Sequence, residues 1–226
     1  MCRLPEHIDL IIPRGGEGLI RAVTENAQVP VLKHYRGMTQ IYVDEHADLD
    51  LAVRLVHNAK VQRPGVCNAV ENLYVHADAP EVLCAIVADL QAAGVEVRGC
   101  PRTREIVGDI TPATDEDFDT EYLDLILSVM VVDSLDDALE QIAAHTSGLT
   151  EAVITEDQQV ADRFLREVDS AAVYHNASTR LTDGGVFGLG AEMGVSTDKI
   201  HARGPVGAAE LTIYKYVCRG DGQIRT

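Results

Sequence analysis

Leu125-Ile126-Leu127-Ser128-Val129-Met130-Val131-Val132 decides the fold. A nearly continuous apolar run of this length is the pattern of a strand buried on both faces. The residues after it alternate in character. Leu135 to His145 reads as a helix, Ala152 to Thr155 as a strand, Gln158 to Val168 as a helix and Ala171 to Tyr174 as a strand. Repeated strand–helix units predict an α/β fold with a largely parallel sheet.

Upstream the same alternation continues. Leu73 to Val75 and Val95 to Val97 read as strands around a helix from Glu81 to Ala93, with Gly94 where a helix C-terminus ends. Leu49 to Lys60 places Leu49, Ala52, Val53, Val56 and Ala59 at helical spacing, one buried face. Gln40 to Val43 and Val29 to Leu32 read as short strands. At the N-terminus, Ile8 to Ile12 is a strand-like run, followed by a Pro13-Arg14-Gly15-Gly16 turn and a helix to about Asn26. Thr103 to Asp119 has no clear period. Asn176 to Gly207 is glycine-rich and reads as a long functional loop region. Leu211 to Val217 is a Thr/Ile/Tyr-rich strand, which either completes its own sheet or pairs with another subunit as an arm.

Composition narrows the class. Of 226 residues, 36 are acidic and 19 are Lys or Arg, giving a formal charge of −17, which argues against binding a phosphate backbone. No run approaches the roughly 18 consecutive apolar residues of a membrane span, and the N-terminus lacks a signal-peptide core, so the cytosol is the expected place. The five cysteines (Cys2, Cys67, Cys84, Cys100, Cys218) form no CxxC pair and no metal-like cluster, so neither a disulfide framework nor a metal site is expected.

Three stretches could carry chemistry. Arg63-Pro64-Gly65-Val66-Cys67-Asn68 sets one cysteine in a loop between a helix and a strand, where free backbone N–H groups are at hand. By spacing alone, a lone loop cysteine is more often unreactive. The Pro13 to Gly16 turn could cradle an anion at a helix start, though a tight turn without ligand explains it too. Asn176-Ala177-Ser178-Thr179-Arg180 follows a strand end, where α/β proteins place ligands, and gathers amide, hydroxyl and guanidinium donors suited to an anion. His201-Ala202-Arg203-Gly204-Pro205 adds a second arginine in a glycine loop. Arginines in such loops of an acidic protein invite a carboxylate or phosphate reading, though surface ion pairs would also explain them.

Taken together, these stretches resemble the gamma-glutamyl phosphate reductase family within the aldehyde dehydrogenase superfamily. The likeness is carried by Ile8 to Gly16, Asn58 to Asn68, Asn176 to Gly185, and Phe187-Gly188-Leu189-Gly190-Ala191-Glu192 running on to Pro205. It extends over essentially the whole chain, with order and spacing both matching. The resemblance implies an aldehyde dehydrogenase-like α/β fold: the C-terminal part of a Rossmann-type NADP-binding domain (residues 1–59), a parallel-sheet catalytic domain (60–184) and a bridging and oligomerisation segment ending in a β-arm (185–226).

The resemblance also implies the chemistry. Cys67 is the expected nucleophile, attacking the acyl phosphate of gamma-glutamyl phosphate, expelling phosphate and forming a thioester that hydride from NADPH reduces to the semialdehyde. This is the second step of proline biosynthesis from glutamate. Arg14, Gly15 and Gly16 fall at the cofactor-contacting turn, and Glu121 at the superfamily glutamate that holds the nicotinamide ribose. Asn68, Asn176, Ser178, Thr179, Arg180 and Arg203 are the expected substrate contacts. His34 falls at or near the place where hydrolytic relatives carry a water-activating glutamate; lacking that carboxylate fits an enzyme that must protect its thioester from water. Thr39-Gln40 stand where the family often has Cys-His, and Leu149 where it commonly has His; neither is expected to touch the nucleophile motif. A homo-oligomer through the C-terminal strand and an association with glutamate 5-kinase are the implied partners. Family members are about twice as long, so a fragment or truncated reading frame that binds NADPH poorly is expected. The rival readings are another acylating aldehyde dehydrogenase, a non-catalytic oligomerising module, and, more weakly, redox sensing through Cys67.

Overall fold

The computed structural model describes residues Met1–Thr226. Its centre is one seven-stranded sheet in the order β4-β3-β5-β2-β1-β6-β7, every neighbouring pair parallel. The strands are β1 (Thr39–Val43), β2 (Val70–His76), β3 (Glu96–Gly99), β4 (Thr111–Pro112), β5 (Ile126–Val132), β6 (Thr150–Ile154) and β7 (Ala172–His175). Helices α2 (Leu49–Val61), α3 (Pro80–Ala92), α5 (Leu135–His145) and α6 (Gln158–Glu167) connect them, and α4 (Pro101–Val107) supplies order in the stretch whose period was unreadable.

Strand alternation builds two cores. Ile41, Val43, Leu73, Val75, Leu127 and Val129 pack against Ala52, Val56, Leu83 and Ile86 of α2 and α3. Tyr42, Tyr74, Val132 and Val153 point to the other face and meet Ala138, Ile142 and Phe164 of α5 and α6. The expected domain boundary at residue 59 falls in the last turn of α2, a helix that shares one core with β1 and β2. On the α5/α6 face, Ser128, Asn72, Gln40 and Glu151 stand side by side across four strands, all fully buried.

Two expected strands turn out differently. Ile8 to Ile12 and Val29 to Leu32 meet only in a single bridge, Ile11 to Val31, outside the sheet. Pro13 and Pro30 have no N–H to donate, so the ladder cannot extend past them. Helix α1 (Glu17–Asn26) follows the glycine turn as expected. Leu211 to Val217 is not a strand: a 3-10 turn covers Ala209–Leu211, and beyond it the chain is irregular and exposes Ile213, Tyr214, Tyr216 and Val217. A strand needs a neighbour's backbone groups, and none in this chain is paired to it. The glycine loop does contain a small antiparallel pair, β8 (Gly194–Ser196) and β9 (Gly204–Val206).

No helix is long and apolar enough to cross a membrane.

Candidate active site

The loops entering β1, β2 and β5 carry Gly37, Cys67 and Glu121, so the candidate site lies at the amino ends of the strands. Open α/β sheets commonly bind ligands at the carboxyl ends. Here those ends hold Asn176 instead. Its side chain donates to Thr155 O (2.9 Å) and accepts from Thr155 N (3.0 Å), with φ at +51°. Asn176 therefore secures the end of β7 and is not brought to the cysteine.

From Asn176 the chain runs back along α2 to the amino ends. The Ser178 hydroxyl donates to Asn58 Oδ1 (2.6 Å), and buried Thr179 donates to the Asn68 carbonyl (2.8 Å). Arg180 then reaches Asn68 Oδ1 with one guanidinium nitrogen and Gln62 Oε1 with another (2.9 Å). Asn68 is fixed in turn by donating to Thr182 O (2.8 Å). Ser178 and Thr179 thus form the frame, while Asn68 and Arg180 line the cavity beside Cys67.

This cavity, about 440 Å³, is also lined by Arg14, Gly15, His34, Tyr35, Arg63, Thr182, Asp183 and Glu192. Arg63, Asp183 and Glu192 were not singled out from sequence. A second cavity of about 500 Å³ shares Gly15, His34 and Tyr35 with the first and adds Gly16, Arg36, Asp119, Thr120 and Glu121. The expected cofactor residues Arg14, Gly15, Gly16 and Glu121 therefore surround one continuous region. Arg203 does not join it; its guanidinium binds Asp169 through the carboxylate (2.7 Å) and the carbonyl (2.7 Å) and lines a separate cavity. A nearby acid in the chain, remote in sequence by 34 residues, claims it.

Cys67 is half-buried and tightly framed. A Cβ placed on Gly37 would lie 2.6 Å from Cys67 Cα, so only glycine fits there. The Gly37 N–H donates to Glu121 Oε1 at 2.9 Å, which ties the glutamate to the cysteine's backbone wall. Thr39 donates its hydroxyl to the Cys67 carbonyl (2.9 Å), so this departure from the family pattern does touch the nucleophile loop. Burial pushes the Cys67 thiol up to about 11, helped by the negative charges of Glu121 and Glu192 and opposed by the Arg180 guanidinium. An anionic thiolate here gains when a substrate brings a partner for these acids or when Arg180 is drawn closer. The His34 ring donates from Nδ1 to Val195 O (2.9 Å).

The second cavity offers a place for the nicotinamide nucleotide expected from sequence. One Glu121 oxygen is held by Gly37, and the other makes no hydrogen bond within the chain, an acceptor suited to a ribose hydroxyl. The glycine turn before α1 brings its backbone alongside. The residues present fit one end of such a nucleotide.

The parallel α/β sheet thus brings together a cysteine loop, a close-packed glycine and a glutamate from a distant loop. A model of the aldehyde dehydrogenase family matches residues 106–195. An acetylating aldehyde dehydrogenase from Geobacillus thermoglucosidasius shares the fold at TM-score 0.74 and 19% identity, over 96% of this chain and 58% of that one. The gamma-glutamyl phosphate reductase of Thermotoga maritima, solved by crystallography, superimposes at TM-score 0.97 with 55% identity, over 100% of this chain and 55% of that one. A gamma-glutamyl phosphate reductase from Syntrophomonas wolfei is 57% identical over 226 residues, 100% of this chain and 54% of the relative. The chain spans about half the length of the curated gamma-glutamyl phosphate reductases it matches.

Proposed function

We propose that this chain carries the cysteine-centred half of an NADPH-dependent gamma-glutamyl phosphate reductase, converting L-glutamyl 5-phosphate to L-glutamate 5-semialdehyde and phosphate in proline biosynthesis, in the cytosol. The observation that carries the reading is the joining of Cys67, Asn68, Arg180 and Glu121 around one cavity region, in a chain whose relatives bear that name.

In this reading Cys67 Sγ attacks the acyl carbon, the carbon–oxygen bond to phosphate breaks, and a thioester forms on the enzyme. Arg180 and Arg63 line the cavity where the anionic substrate would sit, Arg180 favours the thiolate, and Asn68 is an orienting amide held from two sides. NADPH, when bound, supplies the hydride that reduces the thioester. Glu121 and the Arg14 to Gly16 turn would hold this nucleotide, and no carboxylate base stands at His34 to lead water to the thioester. The three-part division of the chain at residues 59 and 184, the pairing of the exposed C-terminal segment with a second subunit, and an association with glutamate 5-kinase belong to the same proposal.

The test is acylation of Cys67 in purified chain supplied with gamma-glutamyl phosphate made in situ from glutamate, ATP and a glutamate 5-kinase. A covalent glutamyl adduct located by peptide mass on Cys67, absent in Cys67→Ala, is expected. Phosphate-dependent NADP⁺ reduction with glutamate 5-semialdehyde reads the second half. An adduct elsewhere, or one that survives Cys67→Ala, overturns the assignment.

A further inference from the structure

Lys60 and Glu71 are the one ion pair in the molecule with both side chains fully buried: Lys60 Nζ to Glu71 Oε2 is 2.8 Å and each side chain is 0% exposed. Lys60 lies in the last turn of α2 and Glu71 in β2, so the pair closes the base of the loop that carries Cys67. Burying two charges is expensive, and an apolar pair of the same volume usually stabilises at least as well. Stability alone therefore gives little reason for the pair.

Its geometry gives another. The second oxygen, Glu71 Oε1, accepts the N–H of Leu123 at 3.2 Å. Leu123 sits at φ +54°, a left-handed backbone that a leucine adopts at a cost. Two residues earlier, Glu121 accepts the Gly37 N–H, and Gly37 lies flat against the Cys67 backbone. One buried carboxylate thus joins the base of the cysteine loop to the strained residue that sets the glutamate.

We infer that Glu71, held by Lys60, is a positioning residue that fixes the Leu123 backbone and through it aims Glu121 at the cavity beside Cys67. The inference rests on the proposed roles of Cys67 and Glu121, but its test does not need turnover. Lys60 anchors one oxygen of the carboxylate and offsets part of the burial that pushes its carboxyl up, so the second oxygen stays in reach of the Leu123 N–H.

The experiment follows the pH profile of Cys67 alkylation by iodoacetamide, read by peptide mass, with thermal stability measured on the same samples. The groups that bear on the thiol are Glu121, Glu192 and Arg180. Lys60→Met with Glu71→Leu removes both charges and the acceptor; Lys60→Met with Glu71→Gln removes the charges and keeps a carbonyl for Leu123. The first variant is expected to keep its melting temperature while its alkylation midpoint falls by about one pH unit, as Glu121 leaves the thiol. The second is expected to stay near the parent. Glu71→Asp, which keeps the charge and withdraws the oxygen from Leu123, is expected to behave as the first, and it decides the matter should the first fail to fold. A folded Leu variant or a folded Asp variant with the parent's midpoint overturns the inference, as does an equal shift in the Gln variant. An absence of acylation by substrate, with the midpoint shift present, overturns the proposed function and leaves the positioning role standing.

Discussion

At the scale of single residues, the site is a set of close approaches around one thiol. Gly37 has no room for a side chain against Cys67, so Gly37→Ala must push the two loops apart. The expected cost is about 1–3 kcal/mol in denaturant unfolding, the range for overpacking a tight contact, together with a changed rate of Cys67 alkylation. A melting curve and labelling rate both equal to the parent's would refute the fit. Glu192 acts at longer reach. It accepts the Gly184 N–H (2.9 Å) and lines the cavity, and its charge helps hold the thiol high. Neutralising it in Glu192→Gln favours the thiolate, so alkylation at pH 8 should rise about threefold, half a pH unit of midpoint. A slower reaction would mean that the carboxylate assists the thiol in place of opposing it.

At the scale of elements, Asn176 is the turn that ends β7, and its two bonds to Thr155 tie that end to β6. Asn176→Ala is expected to lose about 1–3 kcal/mol by stranding the Thr155 groups and straining a left-handed position, with no change in Cys67 alkylation; altered alkylation with stability intact would return Asn176 to the site. The same residue shows where sequence reading succeeds and where it stops. The central strands were legible because burial on both faces leaves uninterrupted apolar runs such as Leu125 to Val132, and the helices because one face repeats. The site was legible only in part. Glu121 and Gly37 are 84 residues apart and meet through a backbone N–H, which no spacing records. Asn176 and Arg180 look alike as donors in a row, and only the path of the chain sends one to each end of the sheet. Arg203 resembled a ligand until Asp169 was seen to hold it. The segment after Leu211 has a strand's composition without a strand's partner, since pairing is a property of two segments.

At the scale of the whole molecule, the polar row across the sheet makes stability depend on pH. Glu151 is fully buried and makes no salt bridge; Thr146 donates to one oxygen, and the other has no hydrogen-bond partner. Burial raises its carboxyl from 4.5 to about 7, more than the hydrogen bonds around it and the distant Arg203 charge lower it. The folded chain therefore keeps a proton between pH 4.5 and 7 that the unfolded chain releases, so this group's contribution to stability falls as pH rises across that window. The shift corresponds to about 3 kcal/mol. Glu71 moves in the same direction for the same reason, but its bond to Lys60 divides the effect between two groups. Glu151→Gln isolates the first. Measured by urea unfolding at pH 5 and pH 8, the stability of the parent relative to Glu151→Gln should drop by about 2.5 kcal/mol on going to the higher pH, because everything else that titrates is shared and cancels. A difference that stays constant between the two pH values would mean that Glu151 is ionised throughout, and that the row Ser128, Asn72, Gln40 and Glu151 solvates a charge in the middle of the fold.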